Sequence, residues 1–445
     1  MRFLRRFVQL ASLSAFLYIL YRTSFLKGIE VPSLFLRLDP LNFLANLTAR
    51  AVPIFFLPAF LLLVLTLLFG RFFCGWICPL GTVFDIFRKI AQWTRLTRIV
   101  SVKPPLWPKY FILTIAIVLA LFGVSVSYIF LFDPLCISTS LWGWLVFSPL
   151  EKKGIIWAGL AFLPIILLEI LASRFWCRSV CSLGALLGIF SRFSPIRRRV
   201  SESCVDCGKC QRVCPVSAIG EDPRSTRTSE CTLCWDCVKP CPVRAISFGK
   251  GGKKEGVWQS RRAFLASLGV GIIGGIVLKR TRYQSPTLIR PPGARKEDEF
   301  LGLCVSCGEC IRACPTGGLR PSLFEAGIEG LGTPRLVPRI GPCTSYCNLC
   351  GQVCPTGAIK PFKLEDKAKI KIGLAKVDYN RCIAYSEGKD CLVCQENCSY
   401  TAIKPIPGPK GAKVPQVDKE ICVGCGQCEN HCPAEGTAAI RVFRI

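Results

Sequence analysis

Cys204-Val-Asp-Cys207-Gly-Lys-Cys210-Gln-Arg-Val-Cys214-Pro215 is the stretch on which the reading of this chain turns. Four thiols fall within eleven residues, and a proline closes the run. The same C-x2-C-x2-C-x3-C-P pattern returns at Cys231, Cys234, Cys237 and Cys241, at Cys304, Cys307, Cys310 and Cys314, and at Cys422, Cys425, Cys428 and Cys432. Cys343, Cys347, Cys350 and Cys354 widen the first gap by one residue. Cys382, Cys391, Cys394 and Cys398 carry a longer first loop, with Ser399 in place of the proline. Six quartets thus take up 24 of the 29 cysteines. Disulfide scaffolds are small secreted domains without such a repeat. Zinc sites set two Cys pairs, separated by a long loop, around one ion. Tight tandem quartets fit cubane iron–sulfur clusters instead, so the chain is expected to hold six [4Fe-4S] clusters and to carry single electrons.

Length and composition set the frame for that wire. At 445 residues, two to four domains are expected. The chain is 51% hydrophobic yet carries 57 basic residues and a net charge of +28. Segregation reconciles the two: residues 1–200 are mostly apolar, and the rest is polar and rich in Cys. Each bound cube would add roughly −2, which lowers the effective charge. No basic, aromatic-bearing module for nucleic acid is evident. The single histidine, His431, and the absence of C-x-x-C-H exclude bis-His and covalent haem. No G-x-G-x-x-G follows a strand signal, which argues against direct oxidation of a nicotinamide.

Four apolar runs are long enough to span about 30 Å of hydrocarbon. They lie near Phe7–Phe25, Ala51–Phe69, Tyr110–Phe130 and Ile155–Ala172. Lys and Arg favour one side by sixteen to six, which predicts a cytoplasmic amino terminus and a cytoplasmic stretch after Ala172. Thr82–Arg98 is basic with Phe84, Phe87 and Ile90 interleaved, and reads either as an amphipathic helix on the inner leaflet or as an ordinary packing helix.

This half is duplicated. Arg71-Phe-Phe-Cys74-Gly-Trp-Ile-Cys78-Pro-Leu-Gly81 matches Arg174-Phe-Trp-Cys177-Arg-Ser-Val-Cys181-Ser-Leu-Gly184. Asp39-Pro40-Leu41 and Asp133-Pro134-Leu135 recur upstream. Each unit reads as an outer Asp-Pro-Leu loop, a spanning helix and an inner C-x3-C turn. Residues four apart share a helix face, so pseudo-twofold packing would gather Cys74, Cys78, Cys177 and Cys181. A metal or small iron–sulfur site is one reading of them; buried structural thiols or a reversible disulfide are the others. Cys136 reads as a structural residue.

The quartet spacing resembles that of the two-cluster bacterial ferredoxins, in which the fourth Cys ligates the other cluster. That resemblance implies one cluster on Cys204, Cys207, Cys210 and Cys241, and a second on Cys231, Cys234, Cys237 and Cys214. Ala218-Ile219 and Ala245-Ile246 are expected to start the strands of a βαβ half. The later quartets are expected to pair third with fourth and fifth with sixth. Between the modules, Ser260-Arg-Arg-Ala-Phe-Leu265 opens an apolar run ending at Leu278 and resembles a twin-arginine export signal. Clusters are assembled inside the cell, so a cluster domain bound for the outside must cross already folded.

Residues 1–248 resemble the NapH-type membrane ferredoxins, and residues 260–445 the NapG/MauM-type ferredoxins, including Arg290-Pro-Pro-Gly-Ala294 before the third quartet. The fold expected is an α-helical membrane domain with internal duplication, of four spans with the internal signal as a candidate fifth, plus α+β bacterial-type ferredoxin modules. The domains expected are a membrane domain over residues 1–200, a two-cluster module over 201–248, a linker with the export-like segment over 249–280, a second linker over 281–300 and a four-cluster module over 301–445. The resemblance implies a quinol dehydrogenase partner pair: electrons pass from membrane quinol, a quinone being a candidate bound cofactor, to an extracytoplasmic redox protein. Residues 201–248 would lie in the cytoplasm and 301–445 outside it. Ser182 stands where the first motif has Pro79, which weakens any carried-over role for the second. The alternative is an assembly factor for a metalloenzyme, since related C-x3-C-P ferredoxins are linked to copper handling and paired thiolates suit Cu(I).

Overall fold

A computed structural model describes residues 1–22, 34–41, 43, 57–93, 105–121, 132–139, 163, 165–169, 172–251, 261–280, 285–323 and 325–445. The chain divides into two compact units, and the boundary falls between Val277 and Leu278. The first holds the apolar helices and the first two quartets; the second holds the other four.

In the first unit, helix Arg2–Tyr21 contains the one stretch among the described residues, Phe3–Tyr21, that is long and apolar enough to cross a membrane. Helices Leu57–Phe69 and Trp107–Leu121 are apolar but shorter. The remaining stretches of the expected spans, 23–25, 51–56, 122–130, 155–162, 164 and 170–171, lie outside the described residues. Helix Arg261–Arg280 follows the export-like motif and is apolar over Arg262–Val277. The basic stretch after Cys78 is helical over Pro79–Trp93, with Phe84 turned into the core and Ile90 exposed.

The strands depart from the expectation. β1 (Ile196–Val200) pairs antiparallel with β2 (Ile246–Lys250), Ile196 facing Lys250 and Val200 facing Ile246. The partner of β2 therefore lies upstream of the first quartet, and no βαβ half forms among the described residues. Ile219 makes only an isolated bridge, to Thr226. A two-stranded ribbon brings both chain ends of the module together, so the cysteine loops form a closed lobe over it.

The second unit is built on three further antiparallel ribbons: β3 (Leu319–Pro321) with β4 (Pro334–Leu336), β5 (Leu374–Val377) with β8 (Ile440–Phe443), and β6 (Ile403–Pro407) with β7 (Lys413–Val417). β3, β6 and β8 begin at the Leu or Ile after their quartets. Ile359 makes only a bridge to Ala294. Some of the stretch read as a linker over 281–300 belongs to this core: Leu288, Ile289 and Phe300 are buried, and Arg290 pairs with Glu297 at 2.6 Å. Composition misled there, because Pro and charge mark a loop whether or not it is packed.

Candidate iron–sulfur centres and the four-thiol turn

Each C-x2-C-x2-C loop has the same unusual backbone. The second and fourth residues after the leading Cys take left-handed φ in all four such quartets: Asp206 and Gly208, Leu233 and Trp235, Ser306 and Gly308, Gly424 and Gly426. Only Gly does this freely; elsewhere it costs of order 1 kcal/mol. Alternating right- and left-handed residues turn successive N–H groups inward, which makes a concave nest for an anion. An iron–sulfur cube with four thiolates is such an anion.

Three cavities show which cysteines meet. One is lined by Cys231, Cys234, Cys237 and Cys214. A second is lined by Cys343, Cys347, Cys350 and Cys314, and a third by Cys422, Cys425, Cys428 and Cys398. In each, a close trio is joined by the fourth Cys of the paired quartet. The reciprocal sets are close in space too. Burial pushes the Cys304 thiol up to about 12, and Cys354 adds to it. Burial likewise raises Cys394 to about 12, helped by Cys382, Cys391 and then Cys432. Cys241 packs in the same small core as Cys210.

The sulfur spacing discriminates between metals. Sulfurs on one zinc sit about 3.8 Å apart. Among the described residues, the group of three or more metal-binding side chains whose ligand atoms all lie within 4.8 Å is Asp39, Asp133 and Cys136, and no quartet qualifies. The quartets are too open for a single ion and suit a cube. Backbone N–H groups tune the fourth cysteines: Ala218 donates to Cys214 and Ala245 to Cys241, both at 3.3 Å, and Ala402 to Cys398 at 3.3 Å. At Cys354 the donor is the N–H of Ile359, at 3.4 Å. Arg198 from β1 donates to Cys210 Sγ at 3.3 Å. In the second unit, Cys343 N–H donates to the Cys425 carbonyl at 2.8 Å. The fourth and sixth trios are thus neighbours, and the sets follow one another in the order third, fourth, sixth, fifth.

The two C-x3-C turns also come together. Short helix Phe72–Trp76 carries Cys74, and a π turn, Trp176–Val180, carries Cys177. Burial raises the Cys78 thiol, with Cys74 and Cys177 adding to it, and burial raises Cys177 to about 12. Burial also lifts Cys181, followed by Cys177 and Cys74. Four mutually repelling thiols need positive charge to ionise, and two wholly buried arginines stand beside them. Each belongs to one repeat and reaches into the other. Arg174 donates to the Cys74 carbonyl at 3.2 Å and the Gly81 carbonyl at 3.4 Å. Arg71 lies against Gly184, where a Cβ would be 2.8 Å from Nη2. The exchange is the pseudo-twofold relation expected from the repeat.

Asp85 holds this junction. It pairs with Arg174 at 2.8 Å and with Arg5 at 2.5 Å. Burial would raise its pKa, but Arg174 and then Arg5 outweigh it and hold Asp85 at about 2. A depressed carboxylate stabilises the fold above its ordinary value of about 4, and that contribution is lost as pH falls toward 2. The midpoint of thermal unfolding should therefore drop between pH 4 and 2 in the native chain, and Asp85→Asn should flatten that segment of the profile.

The first cluster lobe docks on the Cys74 turn. Trp76 Nε1 donates to the Leu233 carbonyl at 3.1 Å, and Arg5 Nη1 to the Cys234 carbonyl at 3.2 Å. Gly75 faces Thr232 so closely that a Cβ would overlap its carbonyl oxygen. Glu230, next to Cys231, is buried with Arg71 at 3.0 Å, Lys109 at 2.5 Å and Tyr110 Oη at 3.1 Å. The set on Cys231, Cys234, Cys237 and Cys214 thus lies nearest the four thiols. Gly75→Ala should wedge the two apart at about 1–3 kcal/mol, read as a lower midpoint for bleaching of cluster absorbance in denaturant.

Sequence comparison agrees with the site. Models described as a 4Fe-4S binding domain match residues 51–97 and 154–201, one model matching both repeats, and residues 414–440. Models described as a 4Fe-4S dicluster domain match 197–255 and 230–318. The second of these joins quartets from different units, whereas the close sets pair Cys231 with Cys214 and Cys304 with Cys354. A methylamine utilization ferredoxin-type protein, MauM, from Methylobacillus flagellatus is 37% identical over 190 residues, 41% of this chain and 80% of that protein. The chain belongs to the MauM/NapG ferredoxin-type family. MauM of Paracoccus denitrificans is 38% identical over 189 residues, 40% of this chain and 82% of that protein, and the ferredoxin-type protein NapG of Escherichia coli is 34% identical over 190 residues, 41% of this chain and 80% of that protein. No solved structure matches. The protein is an iron–sulfur electron-transfer ferredoxin with several 4Fe-4S domains.

The site contains residues that sequence reasoning missed. Glu230, Arg71 and Arg174 carry no local motif beyond the repeated Arg that opens each C-x3-C turn. The repeat predicts the Asp-Pro-Leu loops at the far end of a spanning helix from the cysteine turns. Instead Ser182 Oγ bonds the Phe132 carbonyl at 3.5 Å, so the second loop meets the second turn. Each Asp accepts N–H groups of its own loop, Leu41 at 2.9 Å for Asp39, and Leu135 at 2.9 Å and Cys136 at 2.8 Å for Asp133. A loop that satisfies itself in this way can be buried. Cys136 is part of that group and not an isolated structural thiol.

Proposed function

We propose that this ferredoxin takes electrons from membrane quinol and passes them, one at a time, to an extracytoplasmic redox protein. Six [4Fe-4S] clusters, one per quartet with crosswise fourth ligands, would form the relay. The observation that carries the reading is the docking of the Cys231 loop on the Cys74 turn. It would bring a cluster held by Cys231, Cys234, Cys237 and Cys214 beside four convergent thiols in the apolar half, where a lipid-soluble donor would arrive. Resemblance of residues 1–248 to NapH-type membrane ferredoxins supports a multi-pass membrane domain with the first module on the cytoplasmic side. The twin-arginine-like motif before helix Arg261–Arg280 supports export of the second module. The four thiols would hold a metal or a small iron–sulfur centre; their open spacing and the flanking Arg71 and Arg174 suit an anionic cluster.

The test is reduction of the full chain in anaerobic proteoliposomes by a menaquinol analogue. Cluster absorbance should bleach on addition of the quinol. Absence of bleaching, with full bleaching by dithionite, would overturn the quinol reading. Tight, stoichiometric copper on the four thiols would favour the assembly-factor alternative instead.

A further inference from the structure

Arg198 touches both cysteine sets of the first module. Side chains alternate along β1, and of its three arginines Arg198 is the buried one, 3% exposed. One arm of the guanidinium is anchored: Nη1 donates to the Pro223 carbonyl at 2.8 Å and to Thr226 Oγ1 at 3.2 Å. The other arm, Nη2, donates to Cys210 Sγ, in the set with Cys204, Cys207 and Cys241. Arg198 also lines the cavity ringed by Cys231, Cys234, Cys237 and Cys214. Its Nε–H is buried and has no hydrogen-bond partner among the described residues. A buried donor left unpaired is costly, and an anionic cube in that cavity would supply the acceptor. The charge reaches both sets: burial pushes the Cys210, Cys231 and Cys237 thiols up, and Arg198 opposes that push at all three.

We propose that Arg198 sets the reduction potentials of both clusters in this module, through Nη2 on the Cys210 thiolate and Nε on the cluster held by Cys231, Cys234, Cys237 and Cys214. The inference rests on the crosswise assignment of these two clusters and is independent of the quinol reading. Taking up one electron makes a cube more negative by one unit. Hydrogen bonds to sulfur and a neighbouring positive charge stabilise that reduced form, so they raise the potential. Burial keeps the guanidinium charge from being screened by water. Two neighbouring anions also repel, so reducing one cube disfavours reducing the other. A shared cation offsets that repulsion and lets the module hold an electron on each cube. A brace for the 223–226 loop would need only the Nη1 bonds.

The experiment measures the midpoint potential of each cluster in the full chain, by anaerobic potentiometry read with electron paramagnetic resonance. Cys214→Ser and Cys241→Ser each remove one of the two signals and so assign them, and the clusters of the second unit serve as internal standards. Arg198→Met keeps the length and loses the charge. It should cut the reduced-to-oxidised ratio of both clusters at a fixed potential by about tenfold, a downward shift of about 59 mV for a one-electron couple. The second-unit midpoints should not move. Arg198→Lys restores the charge without the fork and should recover part of both shifts, which a residue that only braces a loop would not do. Native midpoints in a cluster-replete Arg198→Met or, should that variant lose iron, in Arg198→Lys would overturn the inference. Loss of cluster iron from both variants would mark Arg198 as a brace and overturn it too, and a shift confined to one cluster would remove the shared role. Removal of the same signal by both Ser variants would sink the crosswise assignment, and this inference with it.

Discussion

Glu230→Ala should cost about 3–5 kcal/mol and detach the first cluster lobe from the helices, the cost expected when one partner of a buried ion pair is removed. The carboxylate is wholly buried, and burial alone would raise its pKa; Lys109 first and Arg71 next outweigh that and hold it below the ordinary value. Removing it leaves two buried cations facing each other with no counter-charge. Arg71 would also lose its anchor beside Cys74, whose sulfur lies 3.9 Å from Nη2. The effect should appear as a lower denaturant midpoint for cluster bleaching and as new protease cleavage between 201 and 248. Glu230→Gln keeps hydrogen bonding to Tyr110 and should show a smaller loss. Equal midpoints for the native and Ala chains would remove the docking argument.

The second large effect separates two cysteines that look alike in sequence. Cys214→Ser should destroy the cluster on Cys231, Cys234 and Cys237, and Cys241→Ser the one on Cys204, Cys207 and Cys210. Each loss is about four irons per chain. Their consequences for electron flow differ because the Cys231 set lies against the four-thiol turn. Cys214→Ser should block quinol reduction of every remaining cluster. Cys241→Ser should leave the Cys231 cluster reducible by quinol. Iron analysis with electron paramagnetic resonance of quinol-treated and dithionite-treated samples reads both outcomes. Identical behaviour of the two variants would show that the relay does not begin where the docking places it.

Much of this was legible because the chemistry is local. A quartet needs eleven residues and carries its own loop geometry, so spacing alone located the cysteine loops. The crosswise gathering of cysteines followed from the resemblance to two-cluster ferredoxins, and the meeting of Cys74, Cys78, Cys177 and Cys181 from the internal repeat. What escaped depends on distant segments of the chain. Glu230 meets Arg71 and Lys109 across more than a hundred residues. The order of sets in the second unit, with the fifth quartet at one end, follows from the Cys343–Cys425 contact and from no sequence signal. The Asp-Pro-Leu loops were misplaced because polar residues between apolar runs read as exposed, and only their internal hydrogen bonds make burial affordable. Ribbon β1–β2 was missed because Ile196-Arg-Arg-Arg-Val200 has the composition of a charged tail.

The arginine exchange bears on how the protein is made. Arg71 is synthesised about a hundred residues before Gly184, its eventual seat, and the partner of its charge, Glu230, emerges later still. Until then a guanidinium waits at the edge of an apolar helix pair with nothing to neutralise it. The early half consequently depends on the later chain for its counter-charge, and expressing either repeat by itself should give a product that is degraded rather than a half-sized domain.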